Sequence, residues 1–116
     1  MAMKTKSAPA AATPAVKTVR VALLGAGTVG GELAAMISRI GEVPSRGQRL
    51  RLEVTQALVR NVSKKRTGIS ASAVVSDAGS LDFDDVDVVC EALGGLEPAR
   101  TLALRALRAG KPFVTA

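Results

Sequence analysis

Apolar residues along this chain repeat first with the period of a strand and then with that of a helix. Arg20-Val21-Ala22-Leu23-Leu24 is a short apolar run of the kind a strand covered on both faces requires. Glycines follow at 25, 27 and 30, and the spacing changes. Gly30, Leu33, Ala34 and Ile37 fall at i, i+3, i+4 and i+7, the stripe of a helix, and Gly41 is its left-handed stop. Residues 41–50, with Pro44 and Gly47, read as a polar loop longer than such connections need. A second strand is expected from Leu52 to Val59, less regular but ending in Ala57-Leu58-Val59. A loop from Arg60 to Gly68, a short strand near Ala73 to Val75, and a turn with a short helix over Asp77 to Asp85 come next. Val86 to Cys90 is another nearly continuous apolar run. Pro98 then suits the first turn of a helix with the stripe Ala99, Leu102, Ala103 and Ala106, which Gly110 closes, and Lys111 to Thr115 is the last strand.

This alternation is the βαβ pattern. With right-handed crossovers it predicts an α/β fold, a Rossmann-type doubly wound parallel sheet whose strands, numbered along the chain, lie in the order 3-2-1-4-5. The carboxyl ends of all strands then open on one rim. Gly25, Arg60, Ser76, Glu91 to Gly95 and Thr115 gather there.

Composition narrows the chemistry. The chain has 116 residues, enough for one domain, and is 47% apolar with only Phe83 and Phe113 as aromatics, so its core is built from Val, Leu, Ile and Ala. Histidine is absent and Cys90 is the only cysteine, which removes disulfide frameworks, the usual zinc sites and histidine-based triads. Cys90, inside a strand, reads as a small buried residue, and a reducing, cytoplasmic setting is the default. No stretch has the length of a membrane span. Residues 1–17, rich in Ala and Pro with three lysines, read as a disordered leader, and 18–116 as the folded domain. Much of the net charge of +6 comes from Arg46, Arg49, Arg51, Arg60, Lys64, Lys65 and Arg66, whereas Asp77, Asp82, Asp84, Asp85 and Asp87 form an acidic patch. The basic cluster lacks interleaved aromatics, which argues against nucleic acid as a partner.

The glycine turn carries the candidate chemistry. Gly25 permits a tight exit from the strand, Gly27 leaves no Cβ between backbone and a pyrophosphate, and Gly30 lets helix and strand approach. The amides of this turn, with Thr28 and Val29 at the helix start, face the phosphates. Dinucleotide sites that prefer NAD end their second strand with a carboxylate for the ribose 2′-hydroxyl. Here Arg60 stands instead, and a guanidinium grips a 2′-phosphate through paired hydrogen bonds, which favours NADP with NAD as the alternative. Lys64, Lys65 and Arg66 either add to that field or are solvated loop charges. Gly94 and Gly95 either admit the cofactor or make a plain turn. Glu91 is either a contact near the nicotinamide or a cap for the following helix.

Four segments together resemble one family: Val21 to Gly30, Leu58-Val59-Arg60-Asn61, Asp87 to Ala99 with its Glu-x-x-Gly-Gly-x-x-Pro-Ala stretch, and Ala109 to Ala116. Over about residues 19–116 the chain is similar to the amino-terminal half of the nucleotide-binding domain of homoserine dehydrogenase. Cys90, Ala92 and Pro112-Phe113 depart from the family's usual residues. The resemblance implies an NADP-dependent oxidoreductase, homodimeric when complete, that interconverts L-homoserine and aspartate 4-semialdehyde on the route to threonine and methionine. Family members continue past Val-Thr-Ala into Asn-Lys, whose lysine is assigned to catalysis, and then into a substrate domain. The expectation is therefore an incomplete enzyme with bound dinucleotide and no catalytic residue of its own, since Lys111 starts the last strand at the opposite rim. The competing readings are a stand-alone NADP-binding regulatory module and the nucleotide domain of another amino-acid dehydrogenase or reductase.

Overall fold

The computed structural model describes residues 15–116. The central strand β1 (Val16–Leu24) leads through the glycine turn into α1 (Thr28–Ile40), followed by β2 (Glu42–Ser45), β3 (Gln48–Leu58), β4 (Val74–Val75), β5 (Val88–Glu91), α2 (Ala99–Arg108) and β6 (Phe113–Thr115). Short 3₁₀ turns lie at Ala71–Ala73, Ala78–Ser80 and Phe83–Asp85. The sheet runs β2-β3-β1-β5-β6, and β4 pairs with the carboxyl end of β3. All pairings are parallel except β2 with β3. Taken alone, the parallel strands lie β4-β3-β1-β5-β6, which is the 3-2-1-4-5 order expected from the pattern.

The unbroken apolar run of β1 follows from its place in the middle. Val21 and Leu23 join Ala34, Val54, Ala57, Ile69 and Ala73 on the α1 side. Ala22 and Leu24 join Leu81, Phe83, Val86, Val89, Leu102 and Ala106 on the α2 side. Both faces are covered, so no polar residue is tolerated along residues 21–24, none of which is more than 1% exposed. β3 is irregular for a different reason. Val21 pairs with Val54 but Ala22 pairs with Gln56, so Thr55 is an extra residue in the ladder. The bulge lets Val54 and Ala57 face the same side three positions apart, which breaks the two-residue alternation.

Three boundaries differ from expectation. The loop assigned to residues 41–50 is a hairpin, with Ser45 opposite Gln48 and positive φ at Arg46 (44°) and Gly47 (79°), the hand a two-residue connection demands. Glu42 accepts from Arg49 Nε at 3.0 Å and Arg51 Nη2 at 2.7 Å, and these guanidinium bonds hold its carboxyl below the usual range. Pro44 is tolerated because β2 is an edge strand. Of the leader expected over residues 1–17, residues 1–14 lie outside the described residues, whereas Val16 and Lys17 already belong to β1, paired with Arg49 and Leu50. The segment from Asp77 to Asp85 holds two 3₁₀ turns, each started by an aspartate: Asp77 accepts from Gly79 N and Asp82 from Asp84 N.

Candidate functional site

The carboxyl ends of β1, β3 and β5, with the turns after them, enclose a cleft of about 570 Å³. Gly25, Ala26 and Gly27 line it from the glycine turn, and Leu58, Val59, Arg60, Lys64 and Arg66 from the end of β3 and its loop. Ser76, Ala78, Ala92, Leu93, Gly94, Glu97 and Pro98 complete the wall.

Each glycine of the turn has its own physical reason. Gly25 has φ 91°, and a Cβ there would stand 3.0 Å from the Ala92 carbonyl oxygen. Its amide donates to Leu58 O at 2.9 Å and Ala92 N donates to Leu24 O at 2.8 Å, so the turn is tied to both neighbouring strand ends. At Gly30 an added Cβ would lie 2.0 Å from Gly25 O, so only glycine permits this approach of helix to strand. At Gly27 an added Cβ would meet nothing within 4 Å, because its space is the open cleft. Gly27 also caps α1 without any side-chain bond, and the first turn of α1 holds no acidic residue. The first amide bonded into the helix is Gly31 N, to Gly27 O at 2.8 Å. The amides of residues 28–30 have no acceptor among the described residues, and the positive end of the helix dipole adds to them.

The opposite wall is cationic. Arg60 is exposed just beyond β3 and pairs with no carboxylate among the described residues, and Lys64 and Arg66 stand near it in the lining. Arg66 Nε is buried without a hydrogen-bond partner, while its Nη1 is bonded to loop carbonyls. The one lining carboxylate, Glu97, is already engaged, accepting from Thr101 Oγ1 at 2.7 Å and Thr101 N at 3.2 Å. Free amides on one side and three cations on the other fit a ligand carrying several phosphates.

Glu91 does not take the helix-capping role foreseen for it. The residue is 7% exposed and accepts from Leu93 N at 2.6 Å, Gly94 N at 3.2 Å and Thr115 Oγ1 at 2.5 Å. These bonds, the Thr115 hydroxyl foremost, hold its pKa below the usual carboxylate range. It braces the turn that forms the cleft wall instead of capping α2, whose first residue is Ala99. Of the residues singled out in the sequence, the cleft brings together Gly25, Gly27, Arg60, Lys64, Arg66, Ser76, Ala92, Leu93 and Gly94. Thr28 and Val29 are exposed at the start of α1, Gly30 is buried behind the turn, Gly95 lies beyond the lining, and Thr115 is turned onto Glu91. Ala78 enters the lining without a sequence signal of its own, and Glu97 and Pro98 enter it from the Glu-x-x-Gly-Gly-x-x-Pro-Ala stretch. Among the described residues no helix is long and apolar enough to cross a membrane.

A parallel sheet with both faces covered, and a glycine turn opening on a cationic cleft at its topological switch point, define a dinucleotide-binding domain of the Rossmann class. Residues 25–116 match the family model described as homoserine dehydrogenase, NAD binding domain, and the chain belongs to that family. It is 40% identical over 99 residues to homoserine dehydrogenase of Corynebacterium glutamicum, covering 84% of this chain and 22% of the relative. Against the Bacillus subtilis enzyme identity is 33% over 103 residues, 87% of this chain and 24% of the relative. The crystal structure of S. aureus homoserine dehydrogenase at pH 8.5 superposes with a TM-score of 0.71 at 29% identity, covering 86% of this chain and 26% of that one. The Thiobacillus denitrificans structure gives 0.60 at 31% identity, covering 88% and 24%. The chain thus spans about a quarter of the length of these oxidoreductases, and its family marks the cofactor as a nicotinamide dinucleotide.

Proposed function

We propose that this chain is the NADP-binding part of an enzyme that interconverts L-homoserine and aspartate 4-semialdehyde, serving threonine and methionine formation as a cytoplasmic homodimer. Family membership supports the reaction. Preference for NADP rests on one observation: the wall after β3 offers Arg60, Lys64 and Arg66 where a ribose-binding carboxylate would otherwise stand. A 2′-phosphate at about 4 Å from one exposed cation gains about 1 kcal/mol per charge pair in bulk-like dielectric and about 4 kcal/mol near a protein surface, whereas a carboxylate there would repel it by similar amounts.

The residues divide the work by position. The open amides after Gly27 hold the pyrophosphate, Arg60 holds the 2′-phosphate, and Leu93, Gly94 and Pro98 form an apolar wall that keeps water out. Glu91 keeps that wall in place through the Leu93 and Gly94 amides. The nicotinamide, when bound, accepts or returns the hydride. The alcohol proton needs a separate acid or base. Lys64 stands with Arg60 at the phosphate end, and both Glu91 oxygens are in use, so substrate binding and proton transfer fall to parts of the enzyme outside these residues.

Calorimetric titration tests the cofactor reading. The unmutated chain should bind NADPH more tightly than NADH, and Arg60→Ala should narrow the gap by about 1.5–3 kcal/mol, the scale of a hydrogen bond to a charged group. Equal affinities for the two cofactors would refute it.

A further inference from the structure

The loop from Arg60 to Arg66 is exposed, yet it is held in one shape by its last residue. Arg66 Nη1 donates to the carbonyl oxygens of Asn61 and Lys64, each at 2.9 Å. Within the span so clamped, Asn61 Oδ1 accepts from Ser63 N at 3.1 Å and Ser63 Oγ at 2.7 Å, an Asx turn. Immediately beyond, the chain is anchored on α1. Gly68 has φ 82°, and a Cβ there would stand 2.3 Å from Ala34 O, so the backbone lies directly on the helix. Ile69 is buried in the core on that side. Arg66 therefore reaches back from a fixed point and gathers the loop that carries Arg60.

We propose that Arg66 is a positioning residue for cofactor selectivity: by clamping the Asn61 and Lys64 carbonyls it presents Arg60 to the 2′-phosphate. This rests on the reading of Arg60 as the phosphate ligand. The physical ground is preorganisation. An unclamped loop of polar residues samples many backbone states, and freezing them on binding subtracts from affinity for whichever cofactor uses the loop. NADH, lacking the 2′-phosphate, does not draw on Arg60. Loss of the clamp is therefore selective in a way that a general loss of stability is not.

A double-mutant cycle in the full chain reads this directly, with the ratio of NADPH to NADH affinity as the observable and circular dichroism as the check on folding. Arg66→Ala should lower the ratio about tenfold, and by less than about twofold in an Arg60→Ala background, because a clamp with nothing to present has no effect to lose. Asn61→Ala disturbs the same loop without changing any charge and should lower the ratio in the same direction, which carries the test if Arg66→Ala does not fold. Equal losses from Arg66→Ala in both backgrounds would overturn the proposal, since Arg66 would then act on the ligand by its own charge. So would an unmoved ratio in both loop variants while Arg60→Ala still lowers it. A ratio near one in the unmutated chain is a different result, and removes the parent reading together with this one.

Discussion

Gly27 and Gly30 stand three residues apart in one motif, and the structure predicts opposite consequences for replacing them. At Gly27 a new Cβ touches no protein atom within 4 Å, so Gly27→Val leaves packing intact and changes only a helix cap, at a cost of about 1 kcal/mol or less. Its methyl groups, however, fill the space in front of the open amides. Losing two hydrogen bonds to a charged pyrophosphate, at about 1.5–3 kcal/mol each, removes about 3–6 kcal/mol of binding, which is on the order of a hundred- to ten-thousandfold or more in Kd. At Gly30 the added Cβ would stand 2.0 Å from a backbone oxygen, which no side-chain adjustment relieves. Gly30→Ala should therefore force α1 off β1 at a cost of about 1–3 kcal/mol or more. For a domain of this size each kcal/mol is worth about 4–8 °C in Tm. Thermal melts followed by circular dichroism, with NADPH titration of each folded variant, separate the two. NADPH binding by Gly27→Val within tenfold of the unmutated chain would place the phosphates elsewhere. A Gly30→Ala melt coinciding with the unmutated one would show that the close approach is not a constraint.

Two further predictions concern carboxylates and turnover. Because bonds from Thr115, Leu93 and Gly94 depress the Glu91 pKa, its ionised form stabilises the fold. That contribution is fully present above the unperturbed value of about 4.3 and is lost as pH falls through the lower, folded value. Glu91→Gln, which turns an amide toward backbone N–H groups, should cost about 1–3 kcal/mol at pH 7, and the gap between the two Tm-versus-pH curves should close below pH about 4. A constant gap down to pH 3 would contradict this. Purified residues 1–116 should show no homoserine-dependent NADP reduction above background, since loss of acid-base catalysis alone costs about a hundred- to ten-thousandfold. Turnover within tenfold of a complete relative assayed alongside would show that the cleft itself holds the proton-transfer group.

Elements whose cause is local were legible in the residues. The β1 run, the glycine turn and the α1 and α2 stripes are set by neighbours a few positions apart, and chain order with right-handed crossovers then led to the parallel strand order. Where partners are distant, the sequence was silent. The β2–β3 hairpin, though local, was missed for another reason: Arg46-Gly47 is a weak turn signal and Pro44 argues against a strand, and what holds β2 is its pairing with β3 and the Arg49–Glu42–Arg51 bonds. The Thr55 bulge exists only as a register between β1 and β3. Glu91 shows the same division in a single side chain. Its place at the end of an apolar run marked it as a rim residue, but Thr115, 24 residues away, takes one of its oxygens and fixes it against the wall. The sequence by itself determined which backbone turn leaves open space at the strand end, because that depends on where a Cβ is absent. Only the tertiary structure decided which side chains share the cleft with it, because hydrogen bonds between residues far apart in the chain aim those groups.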